Sequence, residues 1–575
     1  MTSTVSHPLR NCHPDTRAQK YLDRGWWRPE TLLDLLDGHI RTRGDHAALT
    51  DPENLPQIAD LDPLSLTWRE LDAEVDRIAA LFYANGVRAG DVVAVLLPNS
   101  VALTATYFAL WRLGAISSPM PASYRSHELG RIVQSAQATA VVTTVRQHDR
   151  SPGEEALRLT ESCPTLRTIF TFGTGSTDGA VSLDSTAPCA EELERMREAV
   201  RGIERSVNDC VTICWTSGTE AAPKGVPRCH GDWLSIGQAV QDGLLTEPES
   251  VILGPFPMVN MAGFATSFLP WLLSGSHLVL HHPLDLAVYL GQIQHHRVTH
   301  SSMPPAILTL LLQKPELRAA FDMSSLIKVG SGGAPLPPGV VRDWQHDLGI
   351  DVLNFFGSNE GVCLLGAPSD TPDPILRAQH LPNYGAPSRV WAAGVGEQTE
   401  VRLVDIASGE EVSEVGQRGE LRLKGPTVFA GYLAGTAEKS PFDQDGFLCS
   451  GDVFELCGDA GEYLKFVDRT KEIIIRGGMN IAPAEIEGLL IEHPGIDDVA
   501  VVGYDDEVLG EKCCAIIVPA EDANVSLEDV VAFLKDNDIA SFKLPERLEQ
   551  RSELPRNPVG KLRRTELRAE IAETE

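Results

Sequence analysis

Short apolar runs rich in valine, isoleucine and threonine alternate along most of the chain with longer stretches whose apolar positions recur at helical spacing. DVVAVLL (91–97) leads into VALTATYFALWRLG (101–114), which is followed by AISSPM (115–120). Further strand-like runs are ATAVVTT (138–144), DCVTICW (209–215), SHLVLHH (276–282), LIKVG (326–330) and DVLNFF (351–356). Continuous apolar runs separated by helical patterns predict βαβ units, and hence parallel sheets covered by helices. The texture changes near Asp468. A charged DRTKE segment leads into EIIIRGGMN (472–480), a helix-like PAEIEGLLIEH (483–493), then VAVVGY (499–504) and CCAIIVP (513–519). The predicted class is α/β: a large N-terminal domain, residues 1–468, of βαβ-type sheets covered by helices, and a small α+β C-terminal domain, residues 469–575, of ordinary domain size.

Composition fits this picture and narrows the partners. At 575 residues the chain exceeds one ordinary domain, and its 43% apolar content is that of a globular protein. No run of eighteen apolar residues occurs, and the opening residues are polar, with a Trp26-Trp27 pair instead of a signal-peptide core. A cytoplasmic protein with no membrane insertion is expected. Forty-nine basic against 80 acidic residues give a net charge of −31, which argues against nucleic acid and anionic membranes. An anionic ligand must then be held by local features. The 11 cysteines lack metal-binding spacing and read as reduced thiols, with Cys210, Cys214 and the vicinal Cys513-Cys514 filling strands. One basic cluster stands apart at the C-terminus, where Arg556, Lys561, Arg563 and Arg564 crowd RNPVGKLRRTELR; by itself it reads equally as a solvated helix start.

Chemistry enters directly after DCVTICW. Thr216-Ser217-Gly218-Thr219-Glu220-Ala221-Ala222-Pro223-Lys224-Gly225 is a loop dense in hydroxyls, closed by lysine and glycine. Backbone amides, hydroxyls and one cation in such a loop suit phosphate oxygens. It lacks the Gly-Lys-Ser/Thr ending of a P-loop. Collinear with it follow GSGGAPLP (330–337), NFFGSNEG (354–361), GELRLKGPTVFAGYL (419–433), FLCSGD (447–452), DRTKEIIIRGGMNIAPAEIE (468–487) and NPVGKLRR (557–564). Together these resemble the ordered motifs of the adenylate-forming superfamily of acyl-CoA synthetases, aryl-CoA ligases, luciferases and peptide-synthetase adenylation domains. The resemblance spans about residues 210 to 564, and chance collinearity of so many motifs is negligible.

That resemblance implies ATP, Mg²⁺ and coenzyme A as ligands and a carboxylic acid as substrate. Carboxylate attack on the α-phosphate builds charge on phosphoryl oxygens, so catalysis rests on positioning and electrostatic stabilisation. By resemblance, Thr216, Ser217, Gly218, Thr219 and Lys224 hold the phosphates. Gly333, Ala334, Asn354, Phe355, Phe356, Gly357 and Asn359 belong to the nucleotide site, with Phe356 stacked on adenine. Glu360 binds Mg²⁺, a hard cation that suits a carboxylate. Asp452 takes the ribose hydroxyls, assisted by Arg469, and Lys561 bridges the carboxylate and α-phosphate. The acyl pocket includes Asn260, Gly263, Phe264, Ser302, Met303 and Gly332. A mobile C-terminal domain turns about Asp468 for the thiol step, so that Arg476, Gly477 and Gly478 line the pantetheine path. Small residues in the acyl segment, and no basic one, point to a bulky apolar monocarboxylic acid, aromatic, alicyclic or polycyclic.

Three positions depart from the family pattern. Glu220-Ala221 stand where Thr-Gly is common, Asn359 stands where Thr precedes the glutamate, and Asn260 stands where a His or aromatic is common. A carboxylate beside a triphosphate would slow adenylation. Besides a ligase using free CoA, the pattern therefore leaves open an enzyme that loads a carrier protein or an amine, and a thiolation-biased ligase fed by a partner adenylating enzyme. Homodimerisation is also open.

Overall fold

The structure, a computed structural model, describes residues 11–216, 223–437, 439–470, 472–476, 479–506, 509–521, 523–537, 539, 541–556 and 562–573. The chain divides into two compact units, the first comprising 1–218, 222–400 and 423–448, the second 219–221, 401–422 and 449–575.

In the first unit, one seven-stranded sheet runs in the order Val181–Ser182, Thr168–Phe172, Ala140–Thr144, Val92–Val95, Ile116–Pro119, Cys210–Trp215 and Gly225–Cys229. Its strands are parallel except the last, which returns antiparallel to Cys210–Trp215. The second sheet has eight strands, in the order Cys363–Gly366, Asp351–Gly357, Lys328–Gly332, His300–Ser302, Val251–Gly254, His277–Leu280, Ala47–Thr50 and Ser65–Thr67. Its interior is parallel and both edges are antiparallel. The mixed α/β class and each expected strand are thus present. LIKVG differs slightly: its strand starts at Lys328 and continues through Gly332, because Leu326 is drawn into the core beside Val329 and Met303.

Burial explains why the runs were continuous. Every position of Cys210–Trp215 is buried, as an interior strand covered on both faces requires. The helix Val101–Arg112 starts at Ser100, whose side chain accepts the Leu103 amide, and is buried nearly all round. Its Tyr107 stacks on Trp111 and contacts Phe264, while Phe108 packs on Phe268. Trp68 and Trp271 stack at 4.8 Å. This aromatic core supports the segment from Met261 to Ser274.

The N-terminal residues are tied in by charge. His13 Nε2 lies 2.8 Å from Asp232 Oδ1, and Arg228 Nη1 lies 3.7 Å from Asp232 Oδ2, all three side chains fully buried. Burial opposes protonation of His13, but the Asp232 carboxylate raises it to about 9. Cys229 completes this cluster as the N-cap that accepts the Asp232 amide.

The second unit contains the antiparallel pair Leu448–Cys457 and Tyr463–Arg469, and a C-terminal sheet in the order Met479–Ile481, Ile474–Arg476, Gly510–Pro519 and Ile496–Asp506. Arg547–Gln550 pairs parallel to Gly510–Pro519. Helices Pro483–Leu490 and Leu527–Asp536 pack on one face of that sheet, and Arg564–Glu573 on the other. Cys513 and Cys514 point to opposite faces, as successive strand residues must. Burial pushes the Cys514 thiol up to about 12 and Cys513 higher still, which suits inert filling. None of the 11 cysteines is in a disulfide. Among the described residues no helix is long and apolar enough to cross a membrane.

Candidate active site

The hydroxyl-rich loop leaves the buried strand Cys210–Trp215 and returns as Gly225–Cys229, a hairpin with Trp215 opposite Gly225. Its base is closed twice. The Thr216 amide donates to the Lys224 carbonyl at 3.0 Å, and the Lys224 amide donates to Thr216 Oγ1 at 3.2 Å. Ser217, Gly218 and Thr219, with Glu220 and Ala221, lie outside the described residues.

Lys224 extends over Tyr432, its Nζ 5.4 Å from the ring centroid. Tyr432 in turn donates its hydroxyl to Glu360 Oε1 at 2.9 Å. Burial, then the Glu360 charge, pushes this phenol well above its ordinary value, so it stays a donor. Lys224 and Glu360 are thereby joined through one aromatic side chain. Tyr432 was absent from the expected site; the Gly431-Tyr432 pair inside GELRLKGPTVFAGYL was the available signal. The Phe429 amide also donates to the Glu360 carbonyl at 3.0 Å. Gly361 permits this crossing, since at φ +113° an added Cβ would lie 2.1 Å from the Thr427 carbonyl oxygen.

Asn359 is a staple. Its Nδ2 donates to the Trp215 carbonyl at 3.2 Å and its Oδ1 accepts the Met261 amide at 2.9 Å. Its own carbonyl accepts from the buried Arg228, which also donates to the Thr427 carbonyl at 2.7 Å. One amide side chain thus joins the end of the loop-bearing strand to the start of the candidate acyl segment.

The remaining nucleotide and acyl candidates of this unit gather at neighbouring strand ends. Ser302 pairs with Gly330, and Gly332 with Phe355, in adjacent parallel strands. Carboxyl ends of parallel strands are where such sheets hold ligands. The glycines are needed there: an added Cβ at Gly330 would fall 1.8 Å from the Phe355 ring, and one at Gly332 2.2 Å from the Phe355 carbonyl oxygen. Gly333 follows at φ +82°, turning the chain into Ala334. Asn354 is spent on backbone, donating to the Arg377 and Ala378 carbonyls. Phe356 and Gly357 end their strand opposite Leu364 and Cys363.

Asn260 caps the short helix Met261–Gly263, its Oδ1 accepting the Ala262 amide at 3.0 Å. Gly263 sits where a Cβ would lie 2.1 Å from the Pro257 carbonyl oxygen. Phe264 opens a π-helical turn, Phe264–Phe268, and stacks on Trp233 at 4.7 Å. Phe264 and Met303 are fully buried in packed core.

The second unit holds the other candidates. Asp452 and Arg469 are register partners, with Arg469 Nε 3.5 Å from Asp452 Oδ1. Gly451 donates its amide to Glu420 Oε1 at 3.2 Å, which links the GEL and SGD motifs. Asp468 is buried; its Oδ1 accepts the Arg469 amide at 2.8 Å and its Oδ2 the Ala484 amide at 2.9 Å. Burial outweighs these donors and the nearby Arg564, so the carboxyl is raised to about 6. Arg476 is ion-paired to Glu546 Oε1 at 2.5 Å, and Glu546 Oε2 accepts the Cys513 amide. Gly477, Gly478 and Lys561 lie outside the described residues.

Comparison with known proteins bears on what this arrangement is for. The profile described as AMP-binding enzyme matches residues 36–433, and that described as AMP-binding enzyme C-terminal domain matches 485–561. The medium-chain fatty-acid–CoA ligase of Escherichia coli (strain K12) is 30% identical over 97% of this chain and 93% of its own length. The 2-hydroxy-7-methoxy-5-methyl-1-naphthoate–CoA ligase of Streptomyces carzinostaticus is 30% identical over 97% of this chain and 96% of its own. The crystal structure of ATP-bound MatB from Rhodopseudomonas palustris superposes with a TM-score of 0.74 at 25% identity, covering 95% of this chain and all of that one.

Proposed function

Because this chain belongs to the AMP-binding enzyme family, within the adenylate-forming superfamily, we propose that it is an AMP-forming carboxylic acid:CoA ligase for a bulky aromatic, alicyclic or polycyclic acid. The observation that carries the reading is the closed Thr216–Lys224 loop with Lys224, Tyr432 and Glu360 joined beside it. A phosphate-binding loop and a metal-binding carboxylate are wanted together wherever a triphosphate is split.

In the first half-reaction the substrate carboxylate oxygen attacks the α-phosphorus, a new P–O bond forms, and pyrophosphate leaves with the electrons of the broken bond. Lys224 and the loop hydroxyls stabilise the outer phosphates, and Lys561 stabilises the charge that grows between carboxylate and α-phosphate. Glu360 is a half-buried hard-oxygen donor whose Oε1 is oriented by Tyr432, which fits Mg²⁺. Bound there, the ion neutralises phosphate charge. Asp452, next to Arg469, accepts ribose hydroxyls, and Phe356 stacks on adenine. In the second half-reaction the CoA thiolate adds to the acyl carbonyl, the C–S bond forms and AMP departs. Residues 469–575 act as the moving part with Asp468 as pivot, and Arg476, Gly477 and Gly478 line the path of the pantetheine arm.

Two features support a bulky, apolar monocarboxylic substrate. None of Asn260, Gly263, Phe264, Ser302, Met303 and Gly332 is basic, so nothing in this segment calls for a second anionic group. A naphthoate–CoA ligase is among the relatives that match over nearly their whole length.

The test is CoA-dependent AMP release with octanoate, cyclohexanecarboxylate, ferulate and 2-naphthoate. Highest kcat/KM with 2-naphthoate or cyclohexanecarboxylate is expected; a preference for octanoate overturns the substrate class, and no acid-dependent AMP release overturns the ligase. Lys561→Ala is expected to lose ATP–pyrophosphate exchange by at least about 100-fold, a few kcal/mol of transition-state stabilisation, while thioester formation from supplied acyl-adenylate persists. Equal loss in both steps argues against an exclusive role in adenylation.

A further inference from the structure

Asn208 pins Cys12 and His13 to the first unit. The Cys12 amide donates to the Asn208 carbonyl at 3.0 Å, the His13 amide donates to Asn208 Oδ1 at 2.9 Å, and Asn208 Nδ2 donates back to the His13 carbonyl at 2.8 Å. Both side chains are thereby set against the strand pair Cys210–Trp215 and Gly225–Cys229, in which Cys210 is the register partner of Cys229. The Cys12 thiol neighbours those of Cys210 and Cys229. Ligand atoms of His13, Cys229 and Asp232 lie within 4.8 Å of one another, and all three residues are buried. Sequence spacing hides the group, because His13 and Asp232 are 219 residues apart.

Sulfur, imidazole nitrogen and a carboxylate together are donors for Zn²⁺, whereas Mg²⁺ and Ca²⁺ take oxygen. Tetrahedral zinc, with nitrogen or oxygen at about 2.0 Å and sulfur at about 2.3 Å, sets its ligand atoms about 3.3–3.8 Å apart. The His13–Asp232 pair, at 2.8 Å, has only to open by about 0.5 Å to reach that spacing. Asp232 offers one oxygen: Oδ2 accepts the Cys229 amide and lies 3.7 Å from Arg228, while Oδ1 faces His13. Cys229 Sγ stands at the N-terminus of the helix His230–Leu244 and accepts the Asp232 amide at 3.4 Å, surroundings that favour a thiolate. Hydrogen bonding alone leaves the imidazole unsatisfied, since His13 Nδ1 is buried without a partner. The rings of Trp27 and Tyr21, 5.3 and 6.3 Å from that of His13, pack against the group.

We propose that Cys12, His13, Cys229 and Asp232 form a structural Zn²⁺ site that ties residues 12–13 to the junction of the strand Gly225–Cys229 and the helix His230–Leu244. The site is separate from the Mg²⁺ position at Glu360 and does not depend on the ligase reading. Its donors are two thiolates, one imidazole nitrogen and one carboxylate oxygen, with Cys210 left as a packing neighbour. Two thiolates and a carboxylate against Zn²⁺ leave one negative charge, which the buried Arg228 balances. Binding releases two thiol protons and the extra proton of His13 to solvent, so affinity rises with pH. Four protein donors leave no open position, which is the mark of a structural ion. The strand that ends at Cys229 starts next to Lys224, and its Arg228 holds the Asn359 and Thr427 carbonyls, so the ion braces the strand on which the hydroxyl-rich loop returns.

The experiment measures zinc by plasma mass spectrometry in the untagged full-length protein, purified without chelator and passed through gel filtration in Mg²⁺-containing buffer. About one zinc per chain is expected in the wild type, with a thermal midpoint that falls on chelation. Co²⁺ in its place is expected to give thiolate-to-metal charge-transfer absorption. Cys12→Ser and Cys229→Ser are each expected to lower the zinc content at least about tenfold and to remove the response of the midpoint to chelator. Glu360→Gln, and Cys189→Ser at an exposed cysteine, are expected to keep the wild-type content. Less than about 0.1 zinc per chain after dialysis against Zn²⁺ would overturn the proposal, as would equal zinc in the wild type and both ligand variants. Two fewer reactive thiols than the 11 of the sequence in denatured, unreduced protein without zinc would reveal a disulfide in place of the ion and overturn it too. If Cys229→Ser fails to fold, the zinc contents of Cys12→Ser and His13→Gln decide the same question.

Discussion

Tyr432 shows how one side chain serves two charges. Its ring lies under the Lys224 ammonium and its hydroxyl donates to Glu360. A hydrogen bond to a charged group contributes about 1.5–3 kcal/mol, so Tyr432→Phe, which keeps the ring and removes the donor, is expected to reduce ATP–pyrophosphate exchange about tenfold and to raise the Mg²⁺ concentration needed for half-maximal rate. Unchanged Mg²⁺ dependence would mean that Glu360 needs no such orientation. Asn359 gives a contrasting lesson. The usual threonine is replaced there by an amide that joins Trp215 to Met261, so the substitution has a structural use independent of the rate of adenylation.

At the scale of elements, the strand Tyr463–Arg469 and the helix Pro483–Leu490 meet at Asp468, which accepts amides from Arg469 and Ala484. Burial raises this carboxyl to about 6, above the ordinary value of about 3.9 for an unfolded chain. Between those values the folded state binds more protons than the unfolded one, so the contribution to stability is fully present below about pH 4 and is lost as pH rises through about 6. Asp468→Asn is expected to flatten the pH dependence of the thermal midpoint in that window. An unaltered slope between pH 4 and 6 would place the titrating group elsewhere. The same substitution leaves one of the two amides without an oxygen, so the helix start should also exchange its amide hydrogens faster.

For the whole molecule, the net charge of −31 acts against anionic substrates such as ATP and CoA. Repulsion of this kind is screened within about 10 Å at 0.1 M salt, whereas pairs held inside the site are screened less. kcat/KM for ATP is therefore expected to rise about twofold or more between 10 and 150 mM NaCl, the reverse of what electrostatic steering gives. A steady fall over that range would show that local cations dominate the approach path and not only the bound state.

The alternation of apolar runs determined the α/β class and the strands, because a strand covered on both faces must be apolar at every position, and that property is written locally. Motif order likewise marked the hydroxyl-rich loop, Glu360, Asp452 and the C-terminal basic cluster. Partnerships were decided only by tertiary structure. Tyr432 and Glu360 are 72 residues apart, Asn359 and Trp215 144, and Arg564 and Glu487 77. Nothing in the neighbourhood of any one of them says which buried donor or acceptor it must meet. The cap that Asn260 makes at Ala262 was not written in its neighbourhood, and the basic C-terminal cluster read equally as a solvated helix start until Arg556 was placed on Asp498 and Arg564 on Glu472 and Glu487. The physical reason is the same in each case: hydrophobic period follows from local geometry, whereas a buried polar group takes whichever partner the folded topology brings within about 3 Å.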